Sequence, residues 1–134
     1  MEFGFILDKL FSFGQLALVL LCIMLVMVYF MQDKMLYNPD FPNKEFKFPE
    51  SNPRGFKNPG ERGMPFEEVY IKTKDQLTLH GWLIKQKKPK EADTVIYFHE
   101  NAGNIGNRLF CIQNMYNEMK VNVLIVGYRG YGHS

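Results

Sequence analysis

The chain holds two cysteines, three serines and three histidines in 134 residues, and each scarcity closes off a class of function. Cys22 lies inside a long apolar run, which makes it a poor disulfide partner for Cys111. Two such residues build neither a disulfide framework nor a metal site. His80, His99 and His133 show no ligand spacing, so neither a metal nor a cofactor is expected. A charge bias is lacking as well: 16 basic and 14 acidic residues leave +2, with no long run of one sign. Nucleic acid, which needs a clustered basic face, is not an expected partner. The densest basic group, Lys85, Lys87, Lys88 and Lys90 around Pro89, reads as a solvated loop between strands, with anionic-lipid contact as the other reading. There is no N-x-[ST] acceptor, no internal repeat and no low-complexity tract.

What is present begins with the apolar run from Phe11 to Met31, where only Ser12 and Gln15 are polar. Twenty-one helical residues reach about 31 Å, close to the hydrocarbon thickness of a bilayer. The run is apolar on every face, unlike a soluble surface helix. It is also too long for a cleaved signal peptide, and no small-residue cleavage site follows it. A retained, single-pass signal-anchor is expected, with the lipid bilayer as its partner. Lys9 precedes the span, whereas Lys34, Lys44 and Lys47 follow it. The positive-inside rule would place the carboxy-terminal side in the cytoplasm, although one residue against three leaves the side undetermined.

This divides the chain into a short flank (1–10), the anchor (11–31), an arm (32–65) and an α/β portion (66–134). Six of the seven prolines fall between 38 and 65, with Gly55, Gly60 and Gly63, which excludes a helix or a central strand there. Phe41, Phe46, Phe48 and Phe56 are more than a flexible linker needs, so the arm should pack on something, within this chain or outside it.

From Glu67 to Thr73 the residues alternate as in a strand, and Leu77 to Lys85 forms a hairpin partner across Lys74-Asp75-Gln76. In that partner, Leu77, Leu79 and Leu83 share one face while Trp82 and Ile84 share the other. Thr94 to His99 reads as a third strand. Ile105, Leu109, Ile112, Tyr116 and Met119 fall at helical spacing over about four turns. Asn122 to Val126 is a continuous apolar strand, as expected where both faces of a sheet are covered. The order predicts a β-hairpin followed by one right-handed β-α-β unit.

The junction between the third strand and the helix carries the chemistry. Small and amide residues from Glu100 to Asn104 aim backbone N–H groups at a helix start, where they can hold a negative oxygen. Phosphate binding and oxyanion stabilisation both use such geometry. Gly103 and Gly106 do not complete a G-x-G-x-x-G turn. No carboxylate closes the next strand, and there is no Walker lysine. A membrane-tethered anion-binding or interaction module remains the alternative reading.

The run Y-F-H-E-N-A-G-N-I-G-N-R-L, followed by N-V-L-I-V-G-Y-R-G-Y-G-H-S, resembles the α/β-hydrolases built around H-G-N-A-G-N-I-G and D-Y-R-G-Y-G-x-S. The likeness extends to the apolar run, to L-Y-N-P-D-F-P, and to I-K-T-K-D with L-H-G-W. It implies a membrane-bound serine hydrolase acting on an ester, thioester or amide. Asn101 would supply one oxyanion-hole N–H, and the residue after the nucleophile would supply the other. His99, Glu100, Gly103 and Asn104 would be structural members of that loop. An acyl-type small molecule or a lipidated substrate would be a partner only of a full-length form.

The residues present assign no catalytic member. Ser12 lies in the apolar run, Ser51 in the arm, and Ser134 eight residues past Val126, beyond the sharp strand end that a nucleophile elbow requires. Three positions depart from the resembled pattern: Gln76 and Glu100 stand where glycine is preferred, and Gly127 stands where aspartate is. The expected whole is an incomplete α/β-hydrolase sheet preceded by a single transmembrane helix. It would be catalytically inactive by itself, whether a fragment, a splice product or a decayed copy. A core built from about 70 residues is expected to be marginal, with the third strand as a bare edge.

Overall fold

The computed structural model describes residues 2–134, in two compact units, Met1–Tyr37 and Asn38–Ser134. The first is a single helix, α1 (Glu2–Leu36), which contains the whole apolar run and carries Lys34 in its last turn, where a cation offsets the helix dipole. Its stretch Ile6–Leu36 is 31 residues, long and apolar enough to cross a membrane, with none of it buried.

The second unit is a four-stranded mixed sheet. Its strands are β1 (Phe66–Lys72), β2 (Thr78–Ile84), β3 (Thr94–Tyr97) and β4 (Asn122–Val126), in the order β1-β2-β4-β3. The hairpin β1-β2 is antiparallel from Phe66↔Ile84 to Lys72↔Thr78, and β3 runs parallel to β4 from Thr94↔Asn122 to Tyr97↔Ile125. The hairpin joins the β-α-β unit through antiparallel pairing of β2 with β4, Gly81↔Val126 to Ile84↔Val123. Gly81 is what permits that approach: a Cβ there would overlap the Ile125 carbonyl oxygen and lie 3.0 Å from the Val126 Cα.

One face of the sheet is the core. Trp82 and Ile84 from β2 and Val123 and Ile125 from β4 pack with Ile105, Leu109, Ile112 and Met64. The alternation in Leu77 to Lys85 therefore puts the Trp82 and Ile84 face inward, with His80, which is also buried. The other face is open. Ile71, Leu79, Ile96, Leu124 and Val126 line a groove of about 300 Å³. Leu124 and Val126 are only half-buried, so the expectation that both faces of β4 are covered does not hold among the described residues.

The expected four-turn helix is divided. A 3₁₀ turn (Ile105–Arg108) precedes a short α2 (Leu109–Asn114), and a π turn (Met115–Met119) ends at Lys120 with φ 55°. Asn104 and Asn107 form a capping box that tightens the start. The wider π turn shifts the phase of the last residues, so Ile105, Leu109 and Ile112 are buried while Met119 is 58% exposed.

Candidate functional site

The junction after β3 is held by ring nitrogens and carbonyls. His99 is 2% exposed. The Tyr128 backbone N–H donates to its Nε2 at 3.1 Å, which leaves Nδ1 as the protonated nitrogen, 2.7 Å from the Glu100 carbonyl. Burial first, and then the Arg108 charge, lowers the His99 imidazole below its ordinary value of 6.5. With both nitrogens committed to backbone groups, this ring has no free position for proton transfer to a substrate. Its effect is geometric. In a planar trans peptide the Glu100 C=O and the Asn101 N–H point in opposite directions, so drawing the carbonyl toward His99 turns the Asn101 N–H away from it. The next carbonyl is fixed from two sides, since Asn101 O accepts from the Tyr131 hydroxyl at 2.7 Å and from the Asn38 N–H at 2.9 Å.

The remaining loop residues are held by internal bonds. The Gly103 N–H donates to Asn38 O at 2.9 Å, closing a parallel bridge between Asn38 and Ala102. The Asn104 N–H donates to Asn107 Oδ1 at 2.8 Å, and the Gly106 N–H to Asn104 Oδ1 at 2.9 Å. Three N–H groups that a phosphate would require are thus occupied by the protein's own acceptors. That argues against the anion-ligand reading of Gly103 to Gly106.

Glu100 stands where the resembled pattern has glycine, yet its charge is compensated. Arg108 Nε lies 2.6 Å from Glu100 Oε2, an ion pair without an aligned N–H···O bond, and the Tyr97 hydroxyl donates to Oε1 at 3.2 Å. Arg108 also donates from Nη2 to the Ala102 carbonyl, so one guanidinium serves both the acid and the loop backbone. Desolvation first, and Glu100 next, raises the Tyr97 phenol above 10.0.

The Ser134 hydroxyl does not meet an imidazole. It donates to Gly127 O at 2.8 Å and accepts the His80 backbone N–H at 3.0 Å, which ties the last turn to β2. A Cβ on Gly127 would sit 2.9 Å from that hydroxyl, so an aspartate there would require the serine to move. The His80 ring pairs instead with Glu68, whose other oxygen accepts the Trp82 indole N–H at 3.1 Å.

The structure brings together His99, Glu100, Asn101, Gly103 and Asn104 on one loop. It adds Asn38, Asn52, Tyr128 and Tyr131, which the sequence did not single out. Asn38 lies in L-Y-N-P-D-F-P and Tyr128 and Tyr131 in Y-R-G-Y, both within the resembled segments; Asn52 gives no sequence signal.

No protein-family model and no solved structure matches the chain. Among curated proteins it is similar to Protein bem46 of Schizosaccharomyces pombe, at 34% identity over 90% of this chain and 38% of that protein. It is similar to Alpha/beta hydrolase domain-containing protein WAV2 of Arabidopsis thaliana, at 33% identity over 77% of this chain and 31% of that one. A third relative, Uncharacterized membrane protein YNL320W of Saccharomyces cerevisiae, is 38% identical over 57% of this chain and 26% of its own length. The chain spans about a third of the length of these relatives. By this homology, and by the β-α-β unit with its strand-to-helix loop, the chain is a relative of the α/β-hydrolase domain-containing proteins.

Proposed function

We propose that this chain is the amino-terminal portion of a membrane-anchored serine hydrolase, and that within the longer protein it supplies one half of the oxyanion hole. The reaction class is acyl transfer to water from an ester, thioester or amide. The Asn101 N–H would receive the negative charge that develops on the substrate carbonyl oxygen. The observation that carries this reading is the coupled pair of bonds at His99, which fixes the peptide bearing that N–H at the end of β3. An oxyanion donor acts only opposite a nucleophile activated by a base. The two backbone bonds of the Ser134 hydroxyl support the reading that these 134 residues alone do not turn over an acyl substrate. The anchor is α1, supported by its length, its exposed apolar surface and a relative named as a membrane protein.

A serine-directed fluorophosphonate applied to the purified chain tests the first part. No covalent adduct is expected, and labelling of Ser134 would overturn the assignment.

A further inference from the structure

The arm between Asn38 and Met64 contributes an unexpected partner to the loop after β3. Asn52 and Asn104, 2% and 0% exposed, face each other as reciprocal amides. Asn52 Nδ2 donates to Asn104 Oδ1 at 2.8 Å, and Asn104 Nδ2 donates to Asn52 Oδ1 at 3.0 Å. The second proton of each amide goes to an arm carbonyl: Asn52 to Phe56 O at 2.9 Å, Asn104 to Phe46 O at 2.8 Å. All four amide protons are therefore used, and Asn104 Oδ1 also accepts the Gly106 N–H. The fit leaves no room for a side chain at residue 106, where a Cβ would overlap the Phe56 carbonyl oxygen. At the other end of the loop, Asn38 pairs with Asn101 O and Gly103 N–H.

The geometry points to Asn52 as a positioning residue of the oxyanion loop, acting through Asn104, with the arm as a structural half of the site rather than a linker. This deepens the acyl-transfer reading and rests on it. The physical reason lies in the asymmetry of buried hydrogen bonds. A satisfied amide pair in a dry interior specifies one arrangement, whereas removing one partner leaves the other desolvated and unpaired. Loss of the Asn52 amide would leave Asn104 short of one donor and one acceptor, and Asn104 caps the turn that follows the Asn101 peptide. Loop and arm would separate locally while the sheet, whose core is built on Trp82, Val123 and Ile125, stays intact.

Backbone amide hydrogen exchange on the isotope-labelled full chain in detergent micelles tests this without any acyl substrate. In Asn52→Ala the Gly103 and Gly106 amides should exchange about tenfold faster or more, relative to Ile125 in β4. Met64→Ala, which removes a buried arm side chain from the core, should accelerate all three by a common factor. Equal acceleration in both variants, or unchanged protection at Gly103 and Gly106, overturns the inference. Asn52→Asp, which retains the volume, gives a second measurement. Its carboxylate accepts from Asn104 but cannot donate, so the Gly106 amide resonance should move as the introduced carboxyl is protonated. A flat response across that titration would also overturn it. Fluorophosphonate labelling at Ser134 would instead refute the assignment of these 134 residues as lacking their own nucleophile, and leave the arm–loop coupling standing.

Discussion

Gln76 closes the β1-β2 hairpin with φ 66°, a left-handed conformation in which any Cβ crowds the backbone. The turn is otherwise well bonded, with Thr73 N–H on Leu77 O at 2.9 Å and Gln76 N–H on Thr73 O at 3.0 Å. Gln76→Gly relieves the crowding at some cost in unfolded-state entropy. It should stabilise the domain by about 0.5–1 kcal/mol, read as a higher urea midpoint at unchanged slope. The sequence showed this position, because the resembled pattern prefers glycine where Gln76 stands. It could not show how His99 is held, since Tyr128 lies 29 residues away and only the β3-β4 pairing brings them together. The His99 value in the fold is below 6.5, so the folded state favours neutral imidazole. The associated stability is present above pH 6.5 and is lost as pH falls through the folded-state value. A urea midpoint that drops between pH 7 and pH 5, and drops less in His99→Gln, is the expected outcome.

At the scale of elements, β3 is the informative case. It pairs with β4 on one side only, and its Ile96 is 55% exposed on the open face. An unpaired, apolar edge strand is a template for intermolecular pairing. Ile96→Lys should reduce concentration-dependent association, seen as a later elution on size exclusion, without loss of the circular dichroism of the sheet. The strands were legible because a period of two survives in short segments, as Trp82 and Ile84 against Leu79 and Leu83 illustrate. The division of the helix after Asn104 was not, because its causes are an amide cap and a π turn rather than hydrophobic spacing. A buried α2 position gives the matching stability test. Leu109→Ala, at a fully buried site, should cost about 2–5 kcal/mol and broaden or abolish cooperative unfolding in so small a core.

For the whole molecule, the apolar helix was the clearest element in the sequence and the arm the least. Composition argued against helix and central strand between 38 and 65 and gave no partner. The arm does contain three short 3₁₀ turns, Lys44–Phe46, Pro49–Ser51 and Pro59–Arg62, two of them with proline at the first position, where its missing N–H costs nothing. The arm's grip on the loop runs through the Asn52 amide and the Phe46 carbonyl, both on Asn104, whereas the sequence drew attention to the aromatic rings. If α1 anchors the chain as proposed, alkaline carbonate should leave the protein in the membrane pellet, and release to the supernatant would contradict the anchor.

The bridge at Asn38 sets a practical boundary. Leu36 ends the apolar helix, and two positions later the backbone is already paired with Asn101 and Gly103. A water-soluble version obtained by trimming should therefore begin no later than Tyr37. A start at Lys44 would discard the short parallel pairing, leave the Gly103 amide in need of a solvent partner and leave the Asn101 carbonyl held by the Tyr131 hydroxyl.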